Sequence, residues 1–187
     1  MTPKSKNNDY ITTYSNIRFF PLDPQLEDIK IEDIAHALSF MTRANGHMKQ
    51  FYSVAQHSIA CMHEAQARGY SKKMQLACLL HDASEAYISD ITRPVKKYLP
   101  EYQRIEDNLQ AEIYSAFGLH LDADDLACVQ EIDNVLLWYE FAQLMRERLD
   151  APAPVIHSCP DFAEQKFSDV EQEFLRIYTS LTVQTNA

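Results

Sequence analysis

The chain has 187 residues, of which 46% are hydrophobic and 24% are charged, so it can bury one substantial core and is short for two domains. Its formal net charge of −10 argues against a nucleic-acid polymer or an anionic membrane as the main partner, because both attract clustered Lys and Arg. Only three glycines are present and no two lie close together, which excludes the glycine-rich loops that bind phosphates or dinucleotides.

The N-terminal segment MTPKSKNNDY is polar and lacks the apolar region of a signal peptide. We expect residues 1–9 to form a disordered tail and residues 10–187 to form a single domain. No run of about 18 apolar residues occurs in the chain, and we therefore expect a cytoplasmic protein. The four cysteines are interpreted as free thiols in a reducing compartment rather than as disulfides or thiolate metal ligands, because they are widely spaced and form no CxxC pair. They are Cys61, Cys78, Cys128 and Cys159.

The first third of the chain contains one β signal followed by helical periodicity. Residues 10–22 are rich in β-branched and aromatic side chains and predict a short strand or hairpin. From Ile31 apolar residues recur every three or four positions, which predicts a helix that ends before Gly46. A second predicted helix carries His57 and Cys61 on one face and ends near Gly69.

The middle of the chain predicts two more helices with a broken segment between them. Ser71 is the predicted N-cap of a third helix. The inner face of that helix is predicted to carry Met74, Ala77, Cys78, His81 and Glu85. Two prolines in residues 88–100 predict a loop or a broken turn rather than a continuation. Residues 101–117 then read as an amphipathic helix that Gly118 closes.

The last third predicts two further helices, which gives a compact all-α bundle of about six helices. Asp122 is the predicted cap of a long helix that extends to about Leu149. Its inner side is predicted to carry Leu126, Val129, Asp133, Leu136, Leu137 and Glu140. The last helix is predicted to bury a stripe formed by Phe162, Phe167, Val170, Phe174, Ile177 and Leu181.

Ionisable residues interrupt the apolar stripes of three of these helices. They are His57, His81, Glu85 and Asp133. If the third helix is continuous, His81 and Glu85 lie one turn apart on one face, with Asp82 about 100° around the axis. Burying such groups separately is costly, and a shared divalent transition metal offsets that cost. Mixed nitrogen and oxygen ligands suit Mn, Fe, Co, Ni or Zn. A buried, salt-bridged polar network is the alternative.

The order of these residues carries a resemblance to a known family. His57, the pair His81–Asp82 and Asp133 follow the pattern H…HD…D, and residues 81–96 read HDASEAYISDITRPVK. From residue 10 to residue 145 the chain resembles the HD-domain metal-dependent phosphohydrolases. Within that superfamily it is similar to the small bacterial 5′-deoxynucleotidases and to short phage and bacterial HD hydrolases.

The resemblance implies a helical HD domain that binds one divalent metal. The implied metal ligands are His57, His81, Asp82 and Asp133. Glu85 is implied as the catalytic residue that moves a proton between water and the leaving group, with the ligand Asp82 beside it in the catalytic centre. Arg43 matches the arginine of the family that binds phosphate. The chain has Ala44 where the nucleotidases have a Trp that packs on the sugar, which leaves recognition of the sugar and base open.

Several further residues are candidates for substrate binding, each with a structural alternative. Asp90 matches the residue that reads the sugar hydroxyl, or it caps the turn before Pro94. Lys96 holds phosphate or belongs to a solvated basic turn, and the same two interpretations apply to Arg93. His47 faces the ligand from its loop or is a surface histidine. Glu140 is interpreted as an outer partner of a metal ligand or as a structural pair.

Together these observations predict a phosphohydrolase that acts on a small-molecule nucleotide, a deoxynucleoside mono- or triphosphate. The alternatives are a cyclic-nucleotide phosphodiesterase and a non-catalytic nucleotide-binding HD module. We also expect a homo-oligomer, because the C-terminal stripe carries more aromatic surface than a small bundle needs to bury.

Overall fold

The computed structural model describes residues 9–145 and 149–183, so residues 1–8 of the predicted tail lie outside the described part. Eight α-helices, two short 3-10 helices (Leu26–Asp28 and Arg43–Gly46) and one two-stranded hairpin make up the regular structure of these residues. Six of the helices have eight residues or more, and two consist of four residues each. The predicted all-α fold with a short N-terminal hairpin is therefore confirmed.

The hairpin joins strands β1 (Ile11–Thr12) and β2 (Arg18–Phe19) in antiparallel register, with Ile11 opposite Phe19. It is anchored to the bundle at two points. The Phe19 side chain is fully buried and its ring stacks on Tyr87 at 4.0 Å. The backbone and hydroxyl of Ser15 both donate hydrogen bonds to the carboxylate of Asp33 in the first helix.

The first three helices are α1 (Ile31–Phe40), α2 (Val54–Ala67) and α3 (Lys72–Leu79). Ser71 caps α3 as predicted, because its hydroxyl accepts a hydrogen bond from the backbone of Met74. Ser53 forms a capping box with Gln56 at the start of α2, which satisfies backbone groups that the first turn of a helix leaves unpaired. Helix α2 contacts α1, α3, α7 and α8.

Helix α3 ends earlier than its apolar pattern predicts. Leu80 leaves helical geometry at φ −103° and ψ 6°, and the imidazole Nδ1 of His81 donates to the carbonyl of Cys78 in the last turn. That bond satisfies a carbonyl that the helix end leaves free. A turn follows, and the next helix, α4 (Glu85–Ile88), has four residues. The predicted continuous face that carries both His81 and Glu85 is therefore wrong.

Residues 89–99 form the predicted broken segment, which contains the one-turn helix α5 (Arg93–Lys96) with Pro94 in its first turn. Helix α6 (Pro100–Ala116) follows and ends before Gly118, whose φ is +70°. That left-handed conformation is one that glycine adopts without a steric penalty.

Helices α7 (Ala123–Leu144) and α8 (Phe167–Thr182) complete the bundle. Asp122 caps α7 through a capping box, as predicted. The predicted end at Leu149 is wrong, since Met145 is already extended at φ −102° and ψ 163°. Leu126, in the first turn of α7, is 46% exposed, so its predicted position on the inner face is wrong.

The C-terminal stripe is buried only in its middle, where Val170, Phe174 and Ile177 join the core. Phe162 precedes α8 and packs near Tyr52 from a loop, so its assignment to the helix is wrong. Phe167 is 48% exposed at the start of α8. Among the described helices, none has the length and apolarity that crossing a bilayer requires.

Glu64 of α2 fastens the segment before α8 to the bundle. Its fully buried carboxylate accepts hydrogen bonds from the Nε of Arg68 and from the backbone N–H groups of His157 and Ser158. Burial alone raises the pKa of a carboxyl, but the hydrogen bonds from Arg68 and Ser158 outweigh it and lower the pKa of Glu64 to about 2. The ionised form is therefore the one that the folded protein stabilises.

This contact predicts a specific loss of stability in acid. Because the folded pKa of Glu64 lies below its unfolded value, its contribution is complete above about pH 5 and declines as pH falls towards about 2. Glu64→Gln should lower the free energy of unfolding near pH 7, and the difference from wild type should shrink across that window. Urea unfolding at a series of pH values measures this. Glu131→Gln, which removes the exposed second partner of Arg68, is the control, and a pH-independent Glu64→Gln difference would contradict the prediction.

Candidate metal centre

The imidazole of His57 lies at the centre of a buried polar cluster. The side chain is fully buried in α2. Its Nδ1 is 2.5 Å from Oε1 of Glu140, which projects from α7. A carboxylate can only accept, so Nδ1 carries the hydrogen and Nε2 is left free in the neutral ring. This free nitrogen faces His81, Asp82 and Asp133.

Three acceptor atoms surround Nε2 of His57. The Nε2 of His81 lies at 3.2 Å, the Oδ1 of Asp133 at 3.1 Å and the Oδ2 of Asp82 at 3.8 Å. From His81 Nε2, the same Asp82 oxygen is at 3.3 Å and the Asp133 oxygen at 3.9 Å. The structure thus brings together all four residues that the resemblance implied as metal ligands, from α2, α7 and the turn after α3.

Both imidazoles use Nδ1 in a hydrogen bond, which leaves both Nε2 atoms facing the cluster. His81 uses Nδ1 to bond the Cys78 carbonyl, so its Nε2, like that of His57, presents a lone pair when the ring is neutral. Two ring nitrogens and two carboxylate oxygens then converge. Metal–nitrogen bonds of about 2.1 Å place neighbouring ligand atoms roughly 3.0 to 3.4 Å apart, which is the range of the shortest contacts here.

A proton can also occupy this position. Burial and the charge of Arg43 lower the pKa of His57, but Glu140 and Asp133 outweigh them and hold it well above the usual range. The pKa of Asp133 lies well below its usual range, because its hydrogen bond to His57 outweighs the effect of burial. The alternative of a buried, salt-bridged network therefore describes the same residues with a protonated His57.

Cys61 adds a third donor type to the cluster. Its Sγ is 3.5 Å from His57 Nε2, and ligand atoms of His57, Cys61 and His81 all lie within 4.8 Å of one another, so this group can hold a metal ion. Burial raises the pKa of the Cys61 thiol to about 11, which keeps it neutral near pH 7. Helical spacing predicts Cys61 on the same face as His57, but it did not identify the thiol as a candidate metal ligand.

Glu85 is 4% exposed and its Oε2 has no hydrogen-bond partner among the described residues. Burial, followed by the charges of Asp82 and Asp90, raises its pKa well above the usual range. Glu85 is the first residue of α4 and does not lie on α3, where the sequence predicted it. A buried carboxyl with a free oxygen is suited to exchange a proton with a bound molecule.

Arg43 is the buried cation of the cluster. Its Nη1 is 3.2 Å from Asp82 Oδ2 and its Nη2 is 3.5 Å from Glu140 Oε2. The turn that carries it contains Ala44 and Asn45 at φ 49° and 51°, a left-handed conformation that non-glycine residues seldom adopt. A hydrogen bond from the Arg43 backbone to the Tyr52 carbonyl holds this turn against the start of α2.

The other candidate binding residues lie around the cluster at different distances. Asp90 is half-buried, and its charge acts on the pKa of Glu85. Lys96 bonds Glu106 at 2.7 Å. Burial lowers the pKa of Lys96, but the bond to Glu106 and the charges of Glu85 and Asp82 outweigh burial and raise it. His47 is exposed, and in residues 9–145 and 149–183 no hydrogen bond or ion pair joins its side chain to the cluster.

Two contacts bear on residues for which the sequence leaves two interpretations open. Glu140, expected as an outer partner of a metal ligand or as a structural pair, has its Oε1 2.5 Å from His57 Nδ1. Arg93, expected as a phosphate contact or a solvated basic residue, has its Nη2 2.6 Å from Asp133 Oδ2. Residues 93 and 133 are 40 positions apart, and no local spacing signals their contact.

No family model matches the chain. The chain is 39% identical over 110 residues to the uncharacterized protein YfdR of Escherichia coli, an alignment that covers 59% of each protein. It is 43% identical over 104 residues to an uncharacterized protein of Rhodobacter capsulatus, covering 52% of this chain and 53% of that protein. The chain thus spans little more than half the length of these curated relatives, and their names assign no activity.

Proposed function

We propose that the protein is a metal-dependent phosphohydrolase of the HD superfamily that acts on nucleotides, with deoxynucleoside mono- or triphosphates as substrates. The observation that carries the proposal is the convergence of four acceptor atoms, from His57, His81, Asp82 and Asp133. The two imidazole Nε2 atoms lie 3.2 Å apart, and each lies 3.1 to 3.9 Å from both carboxylate oxygens. A cation compensates the desolvation of such a group.

The donor set fits one divalent transition metal. Two imidazoles and two carboxylates are ligands for Mn, Fe, Co, Ni or Zn, and four protein ligands leave positions open for water and substrate when the ion is five- or six-coordinate. Such an ion supplies Lewis-acid polarisation of a phosphoryl oxygen and lowers the pKa of a bound water towards about 7. We assign the ligand role to the carboxylates of Asp82 and Asp133, whose negative charge a cation compensates. The Cys61 thiol is the competing donor at this site.

The remaining residues have roles that follow from their charge and burial. Glu85 has a free, buried oxygen, and we assign it the proton exchange with water and with the departing oxygen. Arg43 holds Asp82 and Glu140 and has further N–H groups on its guanidinium to bind a phosphate oxygen. The charges of Asp90 and Lys96 act on the pKa of Glu85, and these two residues are the proposed contacts to the rest of the nucleotide. The exposed His47 is a further candidate contact.

A substrate panel tests the proposed activity. Deoxy- and ribonucleoside mono-, di- and triphosphates and cyclic nucleotides are offered with Mn²⁺, Co²⁺, Ni²⁺, Zn²⁺ or Mg²⁺. Release of phosphate, pyrophosphate and triphosphate is measured, together with formation of nucleoside monophosphate from the cyclic substrates. We expect metal-dependent hydrolysis of deoxynucleotides. Metal and nucleotide binding without turnover would instead identify a non-catalytic binding module, and hydrolysis of cyclic nucleotides alone would identify a phosphodiesterase.

The ligand assignment predicts how metal content responds to substitution. The purified protein should carry about one divalent transition metal per chain, and His81→Ala or Asp82→Ala should empty the site because each removes one of four ligands. Cys61→Ser should retain the metal. Elemental analysis measures all three variants. Unchanged metal in the first two variants would refute the assignment, and loss of metal in Cys61→Ser would make the thiol a ligand.

The proposed role of Glu85 predicts a loss of turnover without a loss of metal. Glu85→Gln keeps the size of the side chain but cannot transfer a proton, so turnover should fall at least roughly a hundredfold, about 2.7 kcal/mol of transition-state stabilisation. Metal content and nucleotide binding should stay near wild type. Loss of the metal would make Glu85 a ligand, and near-normal turnover would remove it from catalysis.

We retain the homo-oligomer as a proposal, supported by the half-exposed rings of Phe40 and Phe167, whose centroids are 4.2 Å apart. Phe40 is the last residue of α1 and Phe167 is the first residue of α8, and exposed apolar surface of this kind favours association. Light scattering should give a mass above the 21.6 kDa of one chain. A monomer at every concentration would contradict this.

A further inference from the structure

The two carboxylate oxygens of Asp133 face different surroundings. Oδ1 is directed at the metal centre, 3.1 Å from His57 Nε2 and 3.9 Å from His81 Nε2. Oδ2 is turned away and accepts two hydrogen bonds, from Nη2 of Arg93 at 2.6 Å and from Nε2 of Gln130 at 2.8 Å. The carboxylate therefore presents one oxygen to the centre.

Arg93 holds this orientation through both arms of its guanidinium. Nη2 bonds Asp133, while Nη1 bonds the side-chain oxygen of the next residue, Asn134, at 2.8 Å. Two bonds to consecutive residues of α7 fix the plane of the guanidinium, which a single ammonium group cannot do. The side chain of Arg93 is 54% exposed, whereas that of Asp133 is 12% exposed, so the arginine covers the carboxylate from the solvent side.

The helix that carries Arg93 is fastened at its other end as well. Lys96, the last residue of α5, bonds Glu106 of α6 at 2.7 Å. Helix α5 thus bridges α6 and α7, with Arg93 on one side and Lys96 on the other. Because α5 is bonded to both α6 and α7, the backbone of Arg93 is held in place by two neighbouring helices.

We infer that Arg93, together with Gln130, is a positioning residue that occupies Oδ2 of Asp133 and so makes Asp133 a one-oxygen ligand of the metal. The inference rests on the proposed metal centre. Outer partners of metal ligands typically change metal affinity about 10- to 100-fold when they are replaced. Arg93 touches neither the other proposed ligands nor Glu85 through any hydrogen bond among the described residues.

The direction in which metal affinity changes when Arg93 is replaced distinguishes its role in orienting Asp133 from the effect of its charge. Arg93 is a cation beside a site for a cation, so removing its charge by itself favours metal binding through reduced repulsion. Losing the hydrogen bond to Oδ2 has the opposite effect, because the carboxylate is then free to turn. Weaker binding in an Arg93 variant can therefore come only from lost orientation.

The experiment measures Co²⁺ affinity of the full chain by competition with a chelator, together with the visible absorption spectrum of bound Co²⁺. Arg93→Met and Gln130→Leu should each weaken binding, and the double variant should weaken it by about tenfold or more. The spectrum should change in the double variant, because freeing Oδ2 alters the coordination of the ion. Arg93→Lys, which keeps the charge and one donor, should restore part of the affinity.

Arg176→Met is the matched control, since Arg176 is 67% exposed on α8 and, among the described residues, forms its ion pair with Glu173 alone. The affinity and spectrum of this variant should equal those of wild type. Circular dichroism establishes that each variant is folded. If wild type binds Co²⁺ and the double variant binds it equally well or more tightly with an unchanged spectrum, the inference is overturned and the proposed centre stands. If wild type binds no Co²⁺, both are overturned.

Discussion

The contact on which the site depends is the buried hydrogen bond between His57 and Glu140. Both side chains are fully buried, and an unpaired carboxylate in such a position is strongly destabilising. Glu140 is therefore held by His57 and by Arg43. Because the bond occupies Nδ1, it also fixes the ring so that Nε2 faces Asp133 and the turn after α3. One contact thus satisfies a buried charge, joins α2 to α7 and aims the central nitrogen of the cluster.

The early end of α3 has a direct consequence for the chemistry. Consecutive residues of an α-helix project about 100° apart, so a continuous helix separates the side chains of His81 and Asp82. In the turn that replaces it, His81 Nε2 and Asp82 Oδ2 lie 3.3 Å apart. The imidazole that caps the last turn of α3 through Nδ1 is the same one that presents Nε2 to the cluster. The same side chain therefore caps the end of α3 and contributes a nitrogen to the cluster.

The cluster brings three carboxylates together with two arginines. Asp82, Asp133 and Glu140 converge with Arg43 as the buried cation, and Arg93 reaches Asp133 from the solvent side. Burial, followed by the charges of Asp82 and Asp90, raises the pKa of Glu85. Among the described residues its Oε2 is one of four buried side-chain atoms without a hydrogen-bond partner, and the other three are hydroxyl oxygens. Buried polar atoms are normally hydrogen-bonded, and the proposed proton exchange assigns a role to this free carboxyl oxygen.

The sequence by itself determined the features that depend on neighbours along the chain. Helical periodicity located α1, α2, α6 and α7, and the caps Ser71 and Asp122 were predictable because a cap bonds a backbone group three residues away. The set His57, His81, Asp82 and Asp133 was recognisable from residue type and order. Only the tertiary structure decided the end of α3, the exposure of Leu126 and the contact of Arg93 with Asp133. These depend on which surfaces meet across the bundle, and contacts between residues 40 positions apart have no signature in local spacing.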